Sequence, residues 1–195
     1  MHDPPRTNTD PPAQPLHHLF FAVLPDAPAA QAAAALAQSL VERHELHAQP
    51  RPERLHVTLM SLGWEPQLSA ERLAWARAAA ARVRVPPFRL RLDRVLSFER
   101  TGRAKHPCVL CGRDDSHGGF HALYVALHAA LWPDSPVPPV LPHMTLCYSH
   151  QPAPAQAVAP LEWTARRFAL LHNRRGSSGP YEVLGEWPLV SVDAS

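Results

Sequence analysis

Lysine is almost absent from this 195-residue chain: Lys105 is the only one among nineteen basic residues, set against seventeen acidic ones. The formal net charge is only +2, which excludes a protein that coats nucleic acid through bulk charge. Arginine supplies the remaining positive charge, and its planar fork grips phosphate well at a local site. Cysteine is scarce too. Cys108, Cys111 and Cys147 are an odd number, so no disulfide framework is expected. No apolar run is long enough to span a bilayer. Residues 1–15, "MHDPPRTNTDPPAQP", hold five prolines and no apolar periodicity, which does not read as a signal peptide. These absences lead to the expectation of a soluble cytoplasmic protein that makes no membrane contact.

Enough apolar sequence is present, 46%, to build a globular core. Residues 1–15 read as a flexible tail and residues 16–195 as one domain. Residues 16–25, "LHHLFFAVLP", are a short aromatic strand ended by proline. Residues 27–46 are rich in alanine and leucine, with Pro28 in the first turn, and predict a helix. A strand over 53–63 ends at Gly63. A second helix over 69–83 has Ser69 as N-cap. Residues 87–98 alternate apolar and basic, a half-exposed strand. A strand over 106–112, a helix over 118–132 and a strand over 143–149 follow. Residues 152–160, "PAPAQAVAP", read as a loop. Strands over 163–173 and 180–190 close the chain as a hairpin around "RRGSSG". The order β-α-β-α-β-β-α-β-β-β is neither strict alternation nor strands alone, and predicts an α+β fold with largely antiparallel pairing.

Within this pattern one short phrase occurs twice: "HVTL" at 56–59 and "HMTL" at 143–146. In a strand, residues i and i+2 share a face. His56 and Thr58 therefore project together, as do His143 and Thr145, while Val57, Leu59, Met144 and Leu146 point into a core. Two such strands facing each other bring two imidazoles and two hydroxyls around one small site. That set suits phosphoryl displacement without a metal. One neutral imidazole removes a proton from the attacking oxygen and one imidazolium protonates the leaving oxygen, both forms existing near the ordinary pKa of about 6.5. The threonines would donate to non-bridging phosphate oxygens. The motif is symmetric, so the residues alone do not say which histidine is acid and which is base. The chain holds thirteen histidines, so a single His-x-Thr would carry little weight. It is the duplication that does.

Four stretches together, "LFFAVLPD", "RLHVTLMSLG", "LPHMTLCYS" and "YEVLGEWPL", resemble the 2H phosphoesterase superfamily, and within it the LigT-like RNA 2′,3′-cyclic phosphodiesterases, also called 2′-5′ RNA ligases. The resemblance implies a bilobal α+β fold with two antiparallel sheets flanking a central cleft and helices outside. It implies hydrolysis of an RNA or nucleoside 2′,3′-cyclic phosphate to a 2′-phosphate, with 2′-5′ ligation as the reverse reaction and no metal or other cofactor. By the same analogy His56 is the acid, His143 the base, and Thr58 and Thr145 the phosphate-binding residues. The expected partners are RNA ends or small nucleotides carrying a cyclic phosphate, and the chain is expected to act as a monomer. Many members carry an arginine shortly after the second motif, where Tyr148 stands here. Strand parity turns Tyr148 away from His143 unless a bulge intervenes. Arg174 or Arg175 could contact phosphate instead.

Rival readings keep the site and change the substrate, to 2′,5′-oligonucleotides or other 2′-linked phosphates, or make the chain an RNA-end-binding module without turnover. A zinc site at Cys108-x-x-Cys111 with His106, His117 and His121 is the weakest alternative, since residues three apart in a strand face opposite ways. His172 and Asn173, at a strand end, are candidate substrate contacts, as is one of Phe20 and Phe21.

Overall fold

The computed structural model describes residues 16–102, 104–112 and 118–190. The proline-rich segment 1–15 and His117 lie outside the described residues. Eight strands and three helices are described: β1 (His17–Val23), α1 (Ala27–Arg43), β2 (Val57–Glu65), α2 (Ala70–Arg82), β3 (Phe88–Ser97), β4 (His106–Cys111), α3 (Gly118–Leu131), β5 (His143–Ser149), β6 (Gln156–Ala165), β7 (Arg167–Arg174) and β8 (Glu182–Pro188). A 3₁₀ turn (Pro52–Arg54) precedes β2. The expected α+β class holds. Ser69 caps α2 as expected, accepting from the Arg72 N–H, and Asp26 caps α1 by accepting from the Ala29 N–H.

The strands form one sheet, ordered β6-β3-β4-β5-β2-β1-β7-β8, and all its pairs are antiparallel. The expected two separate sheets are therefore two four-stranded halves of a single sheet. They are joined between β2 and β5 by one residue pair, Val57 with Met144. Ladders on either side of that seam run for several residues, so the backbone is continuous and the join is narrow.

The other departure lies at residues 152–173. The expected loop and strand are instead β6 followed by β7, separated only by Arg166. β6 pairs with β3 at one edge of the sheet, while β7 pairs with β1 beyond the seam. In a flat sheet six spacings of about 4.8 Å would separate them. One connecting residue cannot bridge that distance, so the sheet bends until the end of β6 meets the start of β7. Pro160 is tolerated within β6 because β6 is an edge strand.

All three helices contribute to one apolar core on one face of the sheet, with Phe21, Phe120, Leu123, Leu127 and Met144 among its fully buried members. α1 meets it through Ala29, Ala33, Ala37 and Leu40, a stripe at helical spacing. Its small side chains bring the helix backbone close to its neighbours. The opposite face carries a smaller cluster of Phe20, Ala22, Ala169 and Leu171, with Leu24 and Tyr181 packed on it. Ala33→Leu, overpacking a site with no free surface, is expected to cost about 1–3 kcal/mol, read as a lowered midpoint in urea unfolding.

Candidate active site

Both His-x-Thr stretches fall where the two halves of the sheet meet. Leu55, Val57 and Leu59 are buried, as are Pro142, Met144 and Leu146, while His56, Thr58, His143 and Thr145 are half-buried. Period two thus puts the four polar side chains on the face opposite the helix-packed core. Val57 and Met144 are directly opposed across the seam. In an antiparallel pair, one step outward along each strand directs His56 toward Thr145 and Thr58 toward His143. The two imidazoles are close enough for charge on one to disfavour charge on the other.

The histidines are oriented in the same way. His56 Nδ1 donates to the Arg54 carbonyl at 2.7 Å, and His143 Nδ1 to the Leu141 carbonyl at 2.8 Å. Each acceptor lies two residues back along the chain. A carbonyl can only accept, so both rings carry a proton on Nδ1 and leave Nε2 as the variable nitrogen. Each ring is also held by aromatic neighbours. Phe20 and Tyr181 pack on His56 with centroids 5.1 and 5.3 Å away. The edge of Phe98 meets His143 at 4.9 Å.

Tyr148 lies on the site's side of the sheet, contrary to strand parity. Cys108 pairs with Cys147 and Val109 with Thr145, so Leu146 is an extra residue in β5. Leu146 and Cys147 both enter the core, and the next side chain, Tyr148, emerges on the face of His143 and Thr145, beyond Thr145 along the strand and 52% exposed. It comes near enough to Tyr181 for the two phenols to interact electrostatically. The first motif repeats the device. Phe21 pairs with Met60 and Ala22 with Thr58, making Leu59 extra. Leu59 and Met60 both enter the core, and Ser61 emerges at the position equivalent to Tyr148. A second irregularity at Leu62 brings Gly63 to φ +95°, a conformation that suits glycine.

Sequence reasoning missed Arg54 and Tyr181. The Arg54 guanidinium donates to the carbonyls of Gly179 (2.6 Å) and Ser177 (2.8 Å) and lies 4.9 Å over the Tyr181 ring. Arg54 thereby ties the β7–β8 loop to the turn whose carbonyl orients His56. Its contacts lie more than 120 residues away in sequence, and no local pattern announces them. Other candidates fall elsewhere. His172 packs on the far face of the sheet, its Nδ1 at 2.8 Å from Glu182 Oε2 and its Nε2 at 2.8 Å from His17 Nδ1. Arg174 pairs with His17 at that strand end. Phe20, not Phe21, is the aromatic on the site's face. Cys108 faces the core opposite Cys147, and among the described residues no group of three or more His, Cys, Asp or Glu could hold a metal. No described helix is long and apolar enough to cross a membrane.

Burial pushes the pKa of His56 below its ordinary value. The charges of His143 and His18 add to this, while the hydrogen bond to Arg54 opposes it. Since the unfolded chain protonates His56 more readily than the folded one, its contribution to stability is intact above about pH 6.5 and is lost as pH falls through the lower folded value. Ring-resolved NMR titration is expected to give His56 a midpoint below 6.5, moving upward when inorganic phosphate is added. A midpoint at or above 6.5 in the free protein would contradict this environment.

No curated protein sequence matches this chain. Among solved structures, TT0787 of Thermus thermophilus is 28% identical, with a TM-score of 0.71, over 89% of this chain and 98% of that one. E. coli LigT complexed with NADP+ is 26% identical, with a TM-score of 0.65, over 91% of this chain and 99% of that one. LigT complexed with ATP is 25% identical, with a TM-score of 0.62, over the same shares. The family model of the 2′-5′ RNA ligase superfamily matches residues 18–177, which take in both His-x-Thr strands. The chain belongs to the 2′-5′ RNA ligase superfamily.

Proposed function

We propose that the chain is a metal-independent phosphodiesterase that opens a 2′,3′-cyclic phosphate at an RNA or nucleotide end and leaves a 2′-phosphate. The observation that carries this reading is the paired imidazole arrangement: two histidines, each held through Nδ1 by a main-chain carbonyl and each followed by a threonine on the same face. Membership of the superfamily supports a phosphodiesterase or ligase chemistry. The ligands of E. coli LigT, NADP+, ATP and 3′-AMP, support a nucleotide as the class of substrate.

In the reaction proposed, His143 Nε2 takes a proton from water as the water oxygen bonds to phosphorus. The bond from phosphorus to O3′ breaks, its electron pair stays on O3′, and His56 Nε2 delivers a proton there. The bond to O2′ is kept. Thr58 and Thr145 donate to the non-bridging oxygens. His56 is reluctant to hold a proton in the free protein, and the anionic phosphate supplies the missing counter-charge. With a 5′-hydroxyl in place of water as the attacking group, the same transfers join a 2′-5′ linkage. Residues 16–195 act as one unit in this scheme, since each half of the sheet brings one histidine.

Purified protein incubated with a nucleoside 2′,3′-cyclic phosphate and EDTA is expected to release the 2′-phosphate. His56→Ala and His143→Ala should each lower kcat by about 10²–10⁴-fold with unchanged circular dichroism. Near-normal turnover in either variant, or a 3′-phosphate product, overturns the mechanism. Binding of RNA ends without turnover selects a non-catalytic module, and turnover confined to 2′,5′-oligonucleotides selects the other 2′-linked substrates.

A further inference from the structure

On the His56 side of the seam, three rings form a pile. Phe20 and His18 stand two residues apart on the same face of β1, stacked with centroids 5.0 Å apart and planes 20° from parallel. His18 is opposed across the ladder by Trp64 of β2 and stacks on it at 4.6 Å and 12°. His18 Nε2 and Ser61 Oγ are 2.8 Å apart, which fixes the middle ring. The inner end of the pile is closed, because Phe20 meets His56 and the edge of Tyr181. The outer end is open: Trp64 is 49% exposed, among the largest apolar exposures described.

Core packing does not account for this pile. Phe20 belongs to the small cluster on the site's face, and neither His18 nor Trp64 joins the helix-packed core. A stacked, half-exposed indole, linked through His18 and Phe20 to His56, is the kind of platform on which proteins hold bases of single-stranded nucleic acid. Resting on the function proposed above, we infer that Trp64 is a stacking subsite for a nucleobase upstream of the nucleotide whose phosphate sits between His56 and His143. The substrate class is then the 3′ end of a single-stranded RNA of two or more nucleotides, rather than a free nucleoside cyclic phosphate. The upstream base continues the pile as its fourth member.

The test compares wild type, Trp64→Ala and Trp64→Phe in two measurements. In the first, turnover of adenosine 2′,3′-cyclic phosphate is set beside that of a triadenylate ending in a 2′,3′-cyclic phosphate. The triadenylate should be preferred in kcat/KM by about tenfold. Trp64→Ala should abolish that preference through KM while leaving mononucleotide turnover unchanged, and Trp64→Phe should keep most of it. The second measurement, fluorescence anisotropy of a labelled triadenylate 2′-phosphate, needs no turnover. It should give an affinity about tenfold weaker for Trp64→Ala. Equal binding by wild type and Trp64→Ala overturns the subsite, whatever the turnover. Absence of turnover with both substrates, while binding still depends on Trp64, overturns the hydrolase reading and leaves the subsite standing.

Discussion

The whole arrangement depends on one main-chain contact, the pairing of Val57 with Met144. Both side chains are completely buried, so the contact is held by the core beneath it as well as by the backbone. It sets the relative height of β2 and β5, and with it which polar side chains come face to face. A slip of one residue at this seam would turn a histidine–threonine strand over and bury its imidazole. Hydrophobic packing of Val57, Leu59, Met144 and Leu146 makes that slip costly. The precision of the site is thus a product of the apolar residues between the polar ones.

Those same residues make the site legible. Half-buried His56 and Thr58 alternating with buried neighbours is a period-two pattern that needs no partner strand to be recognised. Bulges are less legible. After each motif the register gains a residue, and the sequence records it only as two adjacent apolar residues, Leu59–Met60 and Leu146–Cys147. Such pairs also occur in strands buried on both faces. Strand parity therefore puts Tyr148 on the wrong side, a sound rule applied across an irregularity. The repetition of the bulge shows that the internal likeness of the two halves extends past the four-residue phrase, to Ser61 and Tyr148.

Long-range contacts are not legible at all. Arg54 looks like one more surface arginine in a chain with many, and its role appears only when the loop at 177–179 folds over it. β6 is hidden for a different reason. Its burial is confined to Leu161, Trp163 and Ala165, every second residue of its last few, and its start is a proline- and alanine-rich stretch that reads as loop. The divide between β6 and β7 is a single arginine, and only topology, not composition, marks it as the crossing from one half of the sheet to the other.

That crossing has a bearing on how the molecule is assembled in time. The half carrying His143 is built from β3, β4, β5 and β6, one uninterrupted stretch of chain whose ends, Phe88 and Ala165, lie opposite each other. The half carrying His56 is split, with β1 and β2 before that stretch and β7 and β8 after it. Closing the β1–β7 ladder means closing a loop that contains the whole other half, and the entropy of that closure falls once the stretch is already compact. Chain connectivity therefore favours an order in which the His143 half forms its ladders first. His56 gains its full set of neighbours only when β1 and β7 are drawn together, so a chain truncated before β7 would carry both histidines but lack Tyr181 and the loop that holds Arg54.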